Sequence, residues 1–165
     1  MDPRATQAAH NNACWCDAVG RSHGLSTRFH PGYWVQDGAF LPLYPNLVTI
    51  SPHEVEVQLA AINQPAGRVN PGSWSVKDSY STLELGPAAL RPLFDAHWVH
   101  RPSAANHPGA IPAPEAGRWG KIDSAKELAA WESAWGQTPL DWSGRPLFQP
   151  ALLADPDISI IAARE

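Results

Sequence analysis

Leu47-Val48-Thr49-Ile50-Ser51-Pro52-His53-Glu54-Val55 is a short β-branched run that passes directly into a helix start. The first four residues read as a strand. Ser51 then stands where an N-cap is wanted, Pro52 at the first helical position and Glu54 three residues after the serine, the pattern of a capping box. Val55, Leu59 and Ile62 recur at helical spacing and predict a buried face, with the helix ending near Gln64-Pro65. A strand feeding a helix makes an α/β arrangement the first expectation.

Upstream, residues 9–23 follow helical spacing, with Trp15, Cys16 and Val19 as the apolar stripe and Gly24 placed to close the helix. Residues 25–45 read as a long loop, through which Phe29, Tyr33, Trp34, Phe40 and Tyr44 recur among Pro31-Gly32, Asp37-Gly38 and two further prolines. A loop of about twenty residues is unusual in a compact domain and often functional. Downstream, residues 65–73 read as a Pro/Gly/Asn loop. Residues 74–85 read as a strand with Trp74, Val76, Asp78 and Tyr80 on one face, and residues 93–100 as a second. Gly86-Pro87 turns the chain between them, so an antiparallel pair is expected.

Residues 102–118 carry Pro, Ala, Gly and Asn without a period. They divide an N-terminal lobe, 1–101, from the start of a second, 119–165. There, residues 124–135 predict a helix with Ser124 as N-cap, Glu127 at N3, Leu128, Trp131 and Trp135 along one face, and Gly136 at its end. A helical turn at 151–153 precedes Asp157-Ile158-Ser159-Ile160-Ile161-Ala162-Ala163-Arg164-Glu165, an apolar strand with nothing after it to pair with. The order α, β, α, β, β, linker, α, β predicts an α/β fold, with α+β as the other option: a mixed sheet with flanking helices and an incomplete second lobe.

Composition narrows the function classes. With 44% apolar residues and eight tryptophans, 165 residues suffice for a core. Seventeen prolines are about twice the average share and fall in the connections, which points to ordered loops. The net charge is −4 with scattered basic residues, so there is no electrostatic footprint for nucleic acid. No stretch approaches the ~18 apolar residues of a membrane span. Met1-Asp2-Pro3-Arg4-Ala5-Thr6 lacks a signal-peptide pattern, and a cytoplasmic location is expected. Cys14 and Cys16, two apart on a helix, point away from each other and are expected as free thiols.

The runs His10-Asn11-Asn12-Ala13-Cys14-Trp15-Cys16-Asp17-Ala18-Val19, Leu43-Tyr44-Pro45-Asn46-Leu47-Val48-Thr49, Trp74-Ser75-Val76-Lys77-Asp78-Ser79-Tyr80 and Leu93-Phe94-Asp95-Ala96-His97-Trp98-Val99-His100-Arg101 together resemble the front half of bacterial proteins related to the GNAT superfamily of acetyltransferases. The resemblance implies a GNAT-like mixed sheet, a degenerate acyltransferase lobe, and a second lobe entered at residue 124. It implies acetyl transfer from acetyl-CoA to a small amine as the parent reaction. The superfamily's Gln/Arg-x-x-Gly-x-Gly/Ala pattern, whose backbone amides cradle pyrophosphate at a helix N-terminus, does not occur in these 165 residues. No residue can therefore be assigned to the cofactor.

Asp78 and Asp95 each interrupt an apolar run, where a carboxylate is costly unless paired. In a symmetric pairing about residues 86–87 they lie near each other. Two close carboxylates raise one pKa and can bind an amine or serve as base, which makes Asp78 and Asp95, with Tyr80, the candidate catalytic residues. A salt bridge or a backbone-turn hydrogen bond is the plainer and preferred reading. Tyr33, Trp34 and Tyr44, with Phe40, could wall a small-molecule site, and His97 joins them as a candidate substrate contact. The alternative, also preferred, is that these aromatics pin the long loop to the sheet. His10, Cys14 and Cys16, or His97 with His100, match no familiar zinc spacing. A Cys14 or Cys16 nucleophile with His97 and a carboxylate has the residue types without a diagnostic context. The rival to an acyltransferase is a non-catalytic binding or interaction module. Its terminal strand would be completed by a twin or a second subunit, which predicts an oligomer.

Overall fold

The computed structural model describes residues 2–37, 41–64, 74–88, 90–99, 118–135 and 146–164. The chain divides into two compact units, Met1–His97 and Trp98–Glu165. The fold is of the α/β class, helices with a mixed four-stranded sheet, and among the described residues no helix is long and apolar enough to cross a membrane.

In the first unit, α1 spans Pro3–Ser22. It starts six residues before the expected position 9, because Asp2 caps it through Oδ1 on the Arg4 amide at 2.9 Å and Pro3 fills the first position. Its end is the expected one. Gly24 takes φ +75°, the Gly24 amide reaches the Arg21 carbonyl at 2.9 Å, and the Leu25 amide reaches the Gly20 carbonyl at 3.1 Å. Those two bonds are the Schellman closure.

The expected loop 25–45 contains a hairpin. β1 (Ser26–Phe29) and β2 (Tyr33–Asp37) pair antiparallel across Pro31-Gly32, and β2 continues antiparallel to β3 (Leu47–Thr49). After β3, α2 (Val55–Asn63) crosses over to β4 (Val76–Lys77), which pairs parallel with β3. The sheet order is β1-β2-β3-β4.

Two packed layers follow from strand alternation. Trp34, Val48 and Lys77 are register partners across β2, β3 and β4, and Trp34 and Val48 cluster with Ala13 and Cys16 of α1. Tyr33, Val35, Leu47 and Val76 point the other way. They pack with Ala61 and Ile62 of α2 and with Leu83, Leu85, Ala88 and Leu90. The sheet is thus sandwiched between α1 and α2, and its two interior strands are buried on both faces.

Three sequence expectations fail in this unit. The α2 start is not a Ser51 capping box: the helix begins at Val55 behind Glu54, and Ser51 Oγ accepts instead from the His53 amide at 3.2 Å. The expected strand 74–85 is ordered as a strand only over Val76–Lys77, because the Asp78 side chain captures the following amides and folds 78–83 into a turn. Residues 91–99 form no strand and are exposed throughout, so the antiparallel pair about 86–87 does not exist. The turn itself is a short 3₁₀ segment, Gly86–Ala88.

In the second unit, β5 (Arg118–Lys121) and β6 (Ile161–Arg164) pair antiparallel on either side of α3 (Ala125–Trp135) and a 3₁₀ turn, Pro150–Ala154. The terminal strand therefore has its partner within the chain, contrary to expectation. That partner is Arg118–Lys121, of which Arg118 ends the expected linker and the other three residues open the expected second lobe. Ser124 caps α3 as expected, its Oγ accepting from the Glu127 amide at 3.3 Å, while the Glu127 carboxylate reaches back to the Asp123 amide at 3.3 Å. Ile122, Leu128, Leu147, Phe148, Leu152 and Ile160 are buried, and Trp131 meets Phe148 edge-on at 5.1 Å. The expected linker at 102–117, the Trp135 side chain and Gly136 lie outside the described residues.

Candidate functional site

Open α/β sheets bind ligands at the carboxyl ends of parallel strands, next to the crossover helix. Here that place is the end of β3 and β4, where Thr49, Ile50, Asp78, Ser79 and Tyr80 meet ahead of α2. Two of the candidate residues, Asp78 and Tyr80, are there.

Asp78 braces the turn. Its Oδ1 accepts from the Tyr80 amide at 3.2 Å and its Oδ2 from the Leu83 amide at 2.9 Å. Thr49 Oγ1 lies 3.5 Å from the same carboxylate and accepts from the Ser79 amide at 2.8 Å. The Tyr80 hydroxyl donates to the Ile50 carbonyl at 3.2 Å. These bonds tie the end of β4 to the end of β3. Asp95 sits in the exposed segment 91–99, and the strand pairing that would set it beside Asp78 does not form. His97 lies on that same exposed segment.

The aromatic wall is divided. Tyr33 faces the α2 layer, where its ring stacks on His30 with centroids 4.5 Å apart. Trp34 faces the α1 layer and is wholly buried, its Nε1 donating to Asp17 Oδ1 at 3.0 Å. Tyr44 joins Trp34 on the α1 side, and its hydroxyl accepts from Trp15 Nε1 at 2.8 Å. Consecutive strand residues point to opposite faces, so Tyr33 and Trp34 cannot line one site. Phe40 lies outside the described residues.

Sequence reading missed Gly32. Its carbonyl accepts from the amides of Ile50 at 3.0 Å and Ser51 at 3.3 Å, and from Gln58 Nε2 at 2.8 Å. Gln58 Nε2 also donates to the Ser51 carbonyl at 2.6 Å. A Cβ on Gly32 would lie 2.5 Å from Glu54 Cβ, so the hairpin turn and the head of α2 approach as only glycine allows. The Pro31-Gly32 pair between two β-prone runs was the available signal. Gly32→Ala is expected to cost about 1–3 kcal/mol, because Glu54 Cβ is fixed to the helix backbone and α2 must move. Urea unfolding checks it, and the Ile50 and Ser51 amides should lose hydrogen-exchange protection in the same variant.

On the α1 side, burial pushes the Cys16 thiol up to about 12 and also raises the Tyr44 phenol. Burial lowers the Lys77 ammonium, which shares the Val48 face with Cys16. A buried thiol kept neutral is a packing group rather than a nucleophile. Among the described residues, no group of three His, Cys, Asp or Glu side chains could hold a metal ion.

No family model, no curated protein and no solved structure matches this chain.

Proposed function

We propose that Met1–His97 is a GNAT-like, acyltransferase-derived lobe that serves as a non-catalytic binding or interaction module. Acetyl transfer from acetyl-CoA to a small amine belongs, in this reading, to the parent reaction and not to this lobe.

One observation carries it. Pyrophosphate binding at a crossover helix needs backbone N–H groups aimed outward. In the β3–α2 connection the Ile50 and Ser51 amides are given to the Gly32 carbonyl and the His53 amide to Ser51 Oγ. Glu54 and Glu56 then put two carboxylates at the helix head, which suits the helix dipole and repels an anionic ligand. The interaction side of the reading is supported by residues 91–97, where Leu93 and Phe94 are 74% and 80% exposed. Large apolar side chains displayed side by side mark a contact surface. A twin or a second subunit is the partner proposed for it.

Calorimetric titration of the full chain with acetyl-CoA tests the non-catalytic reading. No heat beyond dilution is expected. Saturable binding with a micromolar Kd would return the lobe to the acyltransferases, because such affinity requires about 8 kcal/mol of contacts with the ligand.

A further inference from the structure

His10 and Cys14 lie one turn apart on α1, both exposed. Four-residue spacing places their side chains together on one face of the helix. Cys14 Sγ stands 3.5 Å from His10 Nδ1. The His10 ring is stacked on Phe29 of β1, with centroids 5.7 Å apart and planes 26° from parallel. That stack sets the plane in which Nδ1 meets the sulfur. Two residues further on, Cys16 has the opposite surroundings, 2% exposed and packed with Trp34 and Val48.

The thiolate is the reactive form of cysteine, and an imidazole within hydrogen-bond reach is the base that produces it. We propose that Cys14 is a reactive thiol activated by His10, and that it takes low-molecular-weight disulfides of the glutathione type as its modifying partner. The Cys14 proton passes to Nδ1 of His10, in the tautomer that carries hydrogen on Nε2. Sγ attacks one sulfur of the disulfide, and the S–S bond to Cys14 forms as the original S–S bond breaks. The departing thiolate takes the proton from His10 and leaves as a thiol. One thiol is oxidised and one is released, so the exchange needs no further oxidant. The pair lies on the solvent side of α1 and shares no residue with the β3–β4 end.

Oxidised glutathione is the probe, added to the full chain, with adducts located by peptide mass spectrometry. A single adduct on Cys14 is expected, with Cys16 unmodified over the same time. Cys14 should react about tenfold faster in the folded chain than in the chain unfolded in urea, since a neighbouring base raises the thiolate fraction. His10→Gln should remove most of that advantage while circular dichroism stays unchanged, because the position is exposed. Phe29→Leu should give a smaller loss through a less constrained ring. Equal rates for the parent and His10→Gln would overturn the proposal, and so would an adduct appearing first on Cys16.

Discussion

Trp34→Ala is expected to lower the stability of the Met1–His97 unit by about 3–5 kcal/mol, enough to leave it largely unfolded at ordinary temperature. Trp34 is wholly buried on β2, an interior strand, and packs with Ala13, Cys16 and Val48. Truncation removes the indole from the layer between α1 and the sheet, and the surrounding backbone is held by strand pairing on both sides, so the cavity cannot close. It also takes the donor from Asp17, whose other oxygen accepts from Arg21 Nε at 2.8 Å. Trp34→Phe separates the two effects. It keeps most of the packing and loses the indole N–H, for an expected cost of about 1–2 kcal/mol. Urea denaturation followed by far-ultraviolet circular dichroism measures both variants. A Trp34→Ala midpoint close to the parent's would show that the α1 layer does not hold this unit together.

Glu132→Ala should cost about 3 kcal/mol in the Trp98–Glu165 unit, through unsatisfied amides rather than lost volume. Glu132 is buried on α3, and its carboxylate accepts from the Leu147 amide at 2.8 Å and the Phe148 amide at 3.3 Å. Leu147 and Phe148 are buried, so the alanine variant strands two N–H donors in an apolar place. Glu132→Gln retains one acceptor oxygen and is expected to lose about half as much. Hydrogen exchange on the full chain reads the effect at the amides themselves. Unchanged protection at Leu147 and Phe148 in the alanine variant would mean that something other than Glu132 satisfies them.

Neither residue announced its role in the sequence. Trp34 reads as one aromatic among several in a proline-rich stretch, and nothing in the helical pattern of 124–135 singles out Glu132. Both roles depend on long-range partners: Asp17 lies 17 positions from Trp34, and Leu147 lies 15 from Glu132. The same limit governed the candidate site. Asp78 was correctly singled out as a carboxylate that must be satisfied, yet its partners are the Tyr80 and Leu83 amides two and five residues ahead, not Asp95. Those local bonds compete with the strand ladder and end it. The segment 93–100 has the composition of a strand, but composition supplies no neighbour.

What the sequence determined by itself was local. Gly24 closes α1, Ser124 opens α3 and β3 lies at Leu47–Thr49, because caps, left-handed glycines and β-branched runs act within a few residues of themselves. The apolar stripe of α1 was legible for the same reason. Only the tertiary structure decided which strands pair, that Tyr33 and Trp34 serve opposite layers, that β6 finds β5 inside the chain, and that the Gly32 carbonyl takes the amides ahead of α2. Each of these is a contact between segments whose separation along the chain carries no periodic signal, fixed by the fit of the buried faces and by the need to satisfy every buried amide.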